Sequence, residues 1–144
     1  MSAPHLEKLR RDIVFAETLR GHHLIFHSTW GLFNPRRIDE GSRLLIDHIQ
    51  VEPDDLSLDV GCGYGPLGLT LARLCPQGQV HMVDKDFVAV EYARKNAVVN
   101  RVDNGQIYLS NGFSHVPDLR FDNILSNLPA KVGNELLSII MHDA

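Results

Sequence analysis

Apolar and polar positions repeat along this chain with two different periods. From Ile13 to Leu19, the side chains of Ile13, Phe15, Glu17 and Leu19 alternate with those of Val14, Ala16 and Thr18, which is the period of a strand. A second run, LIFHSTW, follows Arg20-Gly21-His22-His23, and Gly21 is the natural turn residue between the two. The pair reads as a β-hairpin, although Ile13–Leu19 also suits an amphipathic helix. Upstream, Leu6 and Leu9 lie three apart and allow a short helix over Pro4–Arg11. The period changes after Asn34-Pro35. Leu44, Leu45, Ile46, His48 and Ile49 form a helical stripe within Asp39–Gln50, with Asp39 placed as its N-cap.

Beyond Pro53-Asp54-Asp55 a regular rhythm sets in. The strand LSLDV leads to a helix over Pro66–Leu74, whose proline suits a first helical turn. The strand QVHMVD follows. A helix over Phe87–Val99 carries Ala89, Ala93 and Ala97 four apart and leads to the strand QIYLS. After Pro117-Asp118 come the strand FDNILSN and an apolar segment that reads as a helix over Lys131–His142. Strands alternating with helices imply right-handed βαβ units and a parallel sheet. The expected fold is therefore α/β, a Rossmann-like sheet of about four parallel strands behind a hairpin-and-helix lead-in. The expected division is a lead-in over residues 1–38 and a sheet domain over 39–144.

Composition narrows the setting more than the chemistry. The chain has 144 residues, 44% hydrophobic and 22% charged, enough for one domain with a real core. No run approaches the ~18 apolar residues of a membrane span, and the start MSAPHLEKLRRD lacks the apolar stretch of a secretory signal. Two cysteines, Cys62 and Cys75, make no disulfide framework and fit a reducing cytoplasm. With a net charge of −4 there is no global basic field, which argues against large RNA unless a partner supplies positive charge. His22, His23 and His27 invite a metal site, but no Cys or carboxylate completes a zinc-type spacing, so none is expected. Trp30, Phe33 and Phe113 fit either core or the wall of a ligand pocket, with core the preferred reading.

The segment Asp59-Val60-Gly61-Cys62-Gly63-Tyr64-Gly65-Pro66-Leu67-Gly68 leaves a strand and enters a helix. Glycines there let the backbone turn sharply and let a ligand approach it, and the helix N-terminus supplies unpaired N–H groups. Alone this is a weak signal, since a tight turn looks the same and Gly63-x-Gly65-x-x-Gly68 also matches the dinucleotide fingerprint. Asp84 closes the next strand 19 residues after Gly65. An acid at that place can accept from ribose hydroxyls, in NAD and in S-adenosylmethionine alike. Two features choose between them. Asp59 puts a carboxylate where dinucleotide folds carry an apolar residue, which suits a cofactor with a positive amino group and no pyrophosphate. Ser126-Asn127-Leu128-Pro129 ends the fourth strand, beside the crevice where strand order reverses, and is poised to hold a second substrate.

DVGCGYGPLG, the acid of MVDKD, the SNG turn at residues 110–112 and the SNLPA segment, in that order, resemble the small-domain class I methyltransferases. Within that family the chain is similar to the ribosomal small-subunit guanine-N2 methyltransferases and, more distantly, to the glutamine-N5 methyltransferases of release factors. TWGLFNPRRIDEGSRLLI resembles the lead-in those enzymes place before the glycine loop. The resemblance implies S-adenosylmethionine as cofactor, with the Gly61-Cys62-Gly63-Tyr64-Gly65 loop around its methionine portion. It implies Asp59 facing the amino group through water, Asp84 on the ribose, Lys85 beside the adenine, and Asn111 and Gly112 at the adenine edge. Asn127, with the backbone carbonyl of Leu128 and the following Pro129, would accept from an exocyclic or amide NH₂ and aim its nitrogen at the methyl. Two departures stand out: Leu128 replaces a proline of the family pattern, and Ala130 replaces an aromatic that would stack on a base.

The resemblance also implies strands beyond His142-Asp143-Ala144. On this reading the chain is a truncated methyltransferase, FDNILSN is an exposed edge inviting self-association, and catalysis by these residues alone is weak or absent. The expected activity is S-adenosylmethionine-dependent N-methylation of RNA, a protein or a small molecule. The alternatives are a non-catalytic cofactor-binding domain and an NAD-linked oxidoreductase.

Overall fold

The computed structural model describes residues 12–129 and 136–142, and the helix expected over Pro4–Arg11 lies outside them. Strands β1 (Ile13–Leu19) and β2 (His22–Ser28) pair antiparallel from Ile13–Ser28 to Leu19–His22. Arg20 and Gly21 between them both take positive φ, 53° and 83°, as a two-residue turn matched to strand twist requires. The hairpin reading therefore holds over its helical alternative. Its inward positions Leu19, Leu24 and Phe26 are buried, and Val14 and Ile25 face outward. Helix α1 (Glu40–His48) starts where expected: the Asp39 carboxylate accepts from the Gly41 and Ser42 N–H groups at 3.1 and 3.3 Å.

The main sheet has five strands in the order β5-β4-β3-β6-β7. Strands β3 (Leu56–Val60), β4 (Gln79–Asp84), β5 (Gly105–Leu109) and β6 (Asn123–Pro129) are mutually parallel; α2 (Pro66–Leu74) and α3 (Phe87–Val99) make the two crossovers before β5. The chain moves outward from β3 to β5 and then returns to the other side of β3. That reversal puts a crevice at the C-terminal ends of β3 and β6.

Two expectations at the far end are corrected. Residues 136–142 form strand β7 (Leu136–His142), not a helix, and β7 runs antiparallel to β6 in register from Asn123–His142 to Pro129–Leu136. The β6 edge is thus covered, and the argument for self-association through it falls. An apolar run such as LLSIIMH fits either period. The short stretch 130–135 before it permits only an antiparallel return, because a parallel crossover needs a dozen or more residues.

One main core lies between the sheet, α1, α2, α3 and the hairpin, and includes Phe26, Ile46, Leu69, Leu71, Met82, Val90 and Leu125. Gly68 lets α2 approach β4: a Cβ on it would stand 2.6 Å from Met82 Cγ. The hairpin is held by two side-chain amides of α3 that act as a substitute strand edge. Asn100 accepts from the Ile25 N–H at 2.9 Å and donates to its carbonyl at 2.8 Å. One turn earlier, Asn96 does the same to His27, at 2.7 and 2.9 Å, and also donates to the Tyr64 carbonyl.

Candidate functional site

The glycine loop is built from β3 outward. Gly61, Gly63 and Gly65 all take positive φ, between 57° and 109°, which a side chain would strain. The N–H groups of Gly61 and Cys62 both donate to the Val83 carbonyl of β4, at 2.8 and 2.9 Å, so the loop folds back over the neighbouring strand tip. Gly65 caps α2, and Pro66 opens its first turn. Tyr64 pins the loop from the side, its ring edge-on to Phe15 and Phe26 and its hydroxyl against the Asn34 and Arg37 carbonyls at 2.9 and 3.1 Å. The Cys62 thiol is buried and its pKa is raised well above the usual thiol value, first by burial and then by Asp59 and Asp84. It is a filler, as a loop position needing a small residue demands.

Above this loop opens a cavity of about 520 Å³. It collects residues from four separate stretches of chain: Asp59, Gly61, Cys62 and Gly63; Asp84 and Lys85; Asn111 and Gly112; and the lead-in residues Leu32, Phe33, Asp39 and Ser42. Eight of the nine residues expected to hold a cofactor line this space. The ninth, Gly65, shapes the loop from behind. Asn127, Leu128 and Pro129 close β6, whose Ser126 pairs with Val60 beside the loop, but the side chains of those three lie outside the described residues. Of the four residues Leu32, Phe33, Asp39 and Ser42, Leu32 and Ser42 were not singled out in the sequence, and Asp39 only as a helix cap. Of the two readings given to Phe33, core and pocket wall, the less favoured one holds: it is 50% exposed at the cavity wall, and Trp30 and Phe113 are likewise exposed. A single apolar residue in a polar loop gives no period from which to tell a wall from a core.

Two carboxylates define the electrostatics. Asp84 is half-buried, and both its oxygens accept backbone bonds at 2.9 Å, one from Gly63 in the loop and one from Asp86. Asp84 also lines the cavity. Asp59 is only 2% exposed; one of its oxygens, Oδ2, has no hydrogen-bond partner, although the residue lines the cavity. Burial raises its pKa from 3.8 to about 7, the Asp84 charge adds to the rise, and a hydrogen bond from the Gly68 backbone opposes it. A buried carboxylate oxygen without a donor is costly, and this one stands at the wall of the cavity.

The third side of the cavity is a turn held by serines. The Ser110 N–H donates to the Asp84 carbonyl at 3.0 Å, and its hydroxyl donates to the Gly112 carbonyl at 2.7 Å. Asn111 donates its N–H to Ser114 Oγ. Asn111 and Gly112 are exposed, free to meet a ligand edge with backbone or amide groups. Among the described residues no cluster of three or more His, Cys, Asp or Glu could hold a metal, and no helix is long and apolar enough to cross a membrane. His27 instead contacts Asp12 at 3.0 Å, and the same carboxylate takes Tyr92 and Lys95.

The pattern that defines the methyltransferase small domain matches residues 23–144. Among curated relatives, the uncharacterized protein YbxB of Bacillus subtilis is 41% identical over 124 residues, which is 85% of this chain and 62% of that protein. The ribosomal RNA small subunit methyltransferase C of Pseudomonas entomophila is 39% identical over 103 residues, 72% of this chain and 30% of its own length. Among solved structures, the T. thermophilus 16S rRNA N2 G1207 methyltransferase in complex with AdoMet and guanosine superposes with a TM-score of 0.77 at 30% identity. That match covers 85% of this chain and 34% of the other. The chain therefore spans only part of the length of these relatives. Its four parallel strands, with the order reversing beside the glycine loop, are the class I methyltransferase arrangement, and the chain belongs to the methyltransferase small domain family.

Proposed function

We propose that this chain binds S-adenosylmethionine and serves N-methylation of an exocyclic or amide nitrogen, with RNA in the cytoplasm as the acceptor. The observation that carries the reading is the pairing of an unpartnered, buried Asp59 oxygen with Asp84 across one cavity at the reversal of strand order. The cofactor's amino group fits beside Asp59, directly or through water. Its positive charge would draw the Asp59 proton off and hold the carboxylate ionised. Asp84 would accept from the ribose hydroxyls while keeping its bond to the Gly63 N–H, so that one carboxylate ties the loop to the ligand. Lys85, Asn111 and Gly112 would border the adenine. When bound, the cofactor supplies a methyl on a sulfonium, already activated for displacement. The protein's task is then to orient and desolvate the acceptor nitrogen. Asn127 and the Leu128 carbonyl, followed by Pro129, would accept from its NH₂ and leave the lone pair free. RNA as acceptor is supported by relatives named as ribosomal RNA methyltransferases.

Calorimetric titration of the chain with S-adenosylmethionine, S-adenosylhomocysteine and NAD tests this directly. The first two are expected to bind and NAD is not. Asp84→Ala should lower the affinity roughly 10- to 100-fold, the effect of losing hydrogen bonds to a charged acceptor. Preference for NAD, or no binding by a folded chain, would overturn the reading.

A further inference from the structure

The aromatic residues of this chain divide sharply by place. Phe26, Tyr64 and Phe121 are packed inside, and Phe15, Tyr92 and Tyr108 are partly buried against the two cores. The four exposed ones are Trp30, Phe33, Phe87 and Phe113, between 49% and 58% exposed. Phe33 lines the cavity, and Trp30, Phe87 and Phe113 are the chain neighbours of its lining residues Gly31, Asp86 and Gly112. Exposed aromatics in segments that border one cavity point to a recognition surface.

The four split into two pairs. Phe87 and Phe113 flank the side of Asp84, Lys85 and Asn111, the side assigned above to the nucleoside. Trp30 and Phe33 flank the opposite, lead-in side. There the Arg36 guanidinium lies over the Trp30 ring, 4.6 Å from its centroid. Arg36 and Arg37 are both exposed, and neither has an ion pair among the described residues. With Arg36 over the indole, half of Trp30 still meets solvent. A flat ring beside uncompensated guanidiniums is how single-stranded nucleic acid is gripped, with bases stacking on the ring and phosphates meeting the arginines. This local positive patch answers the chain's overall negative charge, which gives no long-range attraction to RNA.

Resting on the reading of the cavity as a methyltransferase site, we infer that Trp30, Phe33, Arg36 and Arg37 form the docking surface for an unpaired stretch of acceptor RNA. The surface supplies, from the lead-in, a stacking ring that the Ala130 position lacks. Duplex RNA cannot use it, because its bases are already stacked.

Trp30 is the single tryptophan of the chain, so its emission reports on this surface alone. The test titrates the full chain, saturated with S-adenosylhomocysteine, with a seven-nucleotide single-stranded RNA, its blunt duplex and a poly-glutamate peptide. Saturable quenching by the single strand, at least several-fold weaker for the duplex and absent for the peptide, is expected. With a labelled oligonucleotide, Trp30→Ala should weaken binding about 10-fold and Trp30→Phe should restore most of it. Arg36→Ala combined with Arg37→Ala should reduce the slope of log affinity against log salt by about 1.4, two phosphate contacts on a single strand. Calorimetry with S-adenosylhomocysteine on each variant should stay at the parent value, which also shows that the variants fold. Normal cofactor binding without RNA quenching, equal quenching by duplex, or quenching by poly-glutamate would overturn the inference. Loss of cofactor binding in the parent chain would overturn the proposed function instead.

Discussion

The two faces of the main sheet are built from the same strands and differ in nearly everything else. On one face Val80, Met82, Ile107 and Leu125 lie under α1, α2, α3 and the hairpin in one large core. On the other, Leu58, Val83 and Phe121 form a small cluster with half-buried Leu56, Val60, Tyr108 and Ile124 around it, and no described helix residue belongs to it. The alternation of a strand sends neighbours to opposite faces, so Asp59 falls on the helix-covered side and Leu58 on the other. The difference teaches where this protein can afford chemistry. A carboxylate left short of a donor needs rigid walls, a helix N-terminus and little water, and only the covered face provides them. The polar pair of the opposite face, His81 and Tyr108, is by contrast fully matched. Its hydrogen bond is 2.7 Å, with Phe121 edge-on to the imidazole, and burial lowers the His81 pKa.

The comparison is broken most directly through Asp59. Its pKa is raised by folding, so the native state holds a proton that the unfolded state gives up. The associated stability is complete below about pH 4 and is lost as pH rises through about 7. A shift of this size corresponds to on the order of 4 kcal/mol between those limits. Urea midpoints across pH 4 to 8, wild type against Asp59→Asn without cofactor, should show this slope only in the wild type. S-adenosylhomocysteine should remove it, because its ammonium favours the ionised form.

Next in size is the fit of α2 on β4. Gly68→Val puts atoms where Met82 already stands and should cost about 3 kcal/mol, read as a fall in denaturation midpoint. An equal insertion at an open place, Leu109→Phe at the 43% exposed end of β5, should cost nearly nothing.

Asn96→Leu removes the amide that joins β2 to the glycine loop. It leaves the His27 N–H and two carbonyls without their partner, a loss of about 2 kcal/mol. Because the Tyr64 carbonyl is one of the two, cofactor affinity should fall as well, whereas Asn100→Leu should lower stability alone. A small effect is expected on the opposite face. Tyr108→Phe removes one hydrogen bond at a half-buried site, about 1 kcal/mol or less, with cofactor binding unchanged.

Much of this was legible from the chain. The alternation of strand and helix from LSLDV to QIYLS survives in β3 through β5 with at most one residue moved at a boundary. The N-cap Asp39, the first-turn Pro66 and the Gly21 turn act within their own few residues of chain, so they could be read singly. Segment 136–142 could not, since its period fits both elements and the deciding fact was a strand edge awaiting a partner. Nor could Asn96 and Asn100. Asparagines four apart on a helix look like solvated surface until a hairpin is laid against them.

The sequence by itself determined the elements from β3 to β5, the glycine cradle and the identity of the acids Asp59 and Asp84 beside it, because these follow from local sterics and spacing. Only the tertiary structure decided that one Asp59 oxygen lacks a donor, that Asp84 holds the loop as well as lining the cavity, and that Phe33 stands in the cavity wall. Burial, electrostatic coupling and proximity depend on which distant segments meet, and no local period encodes that.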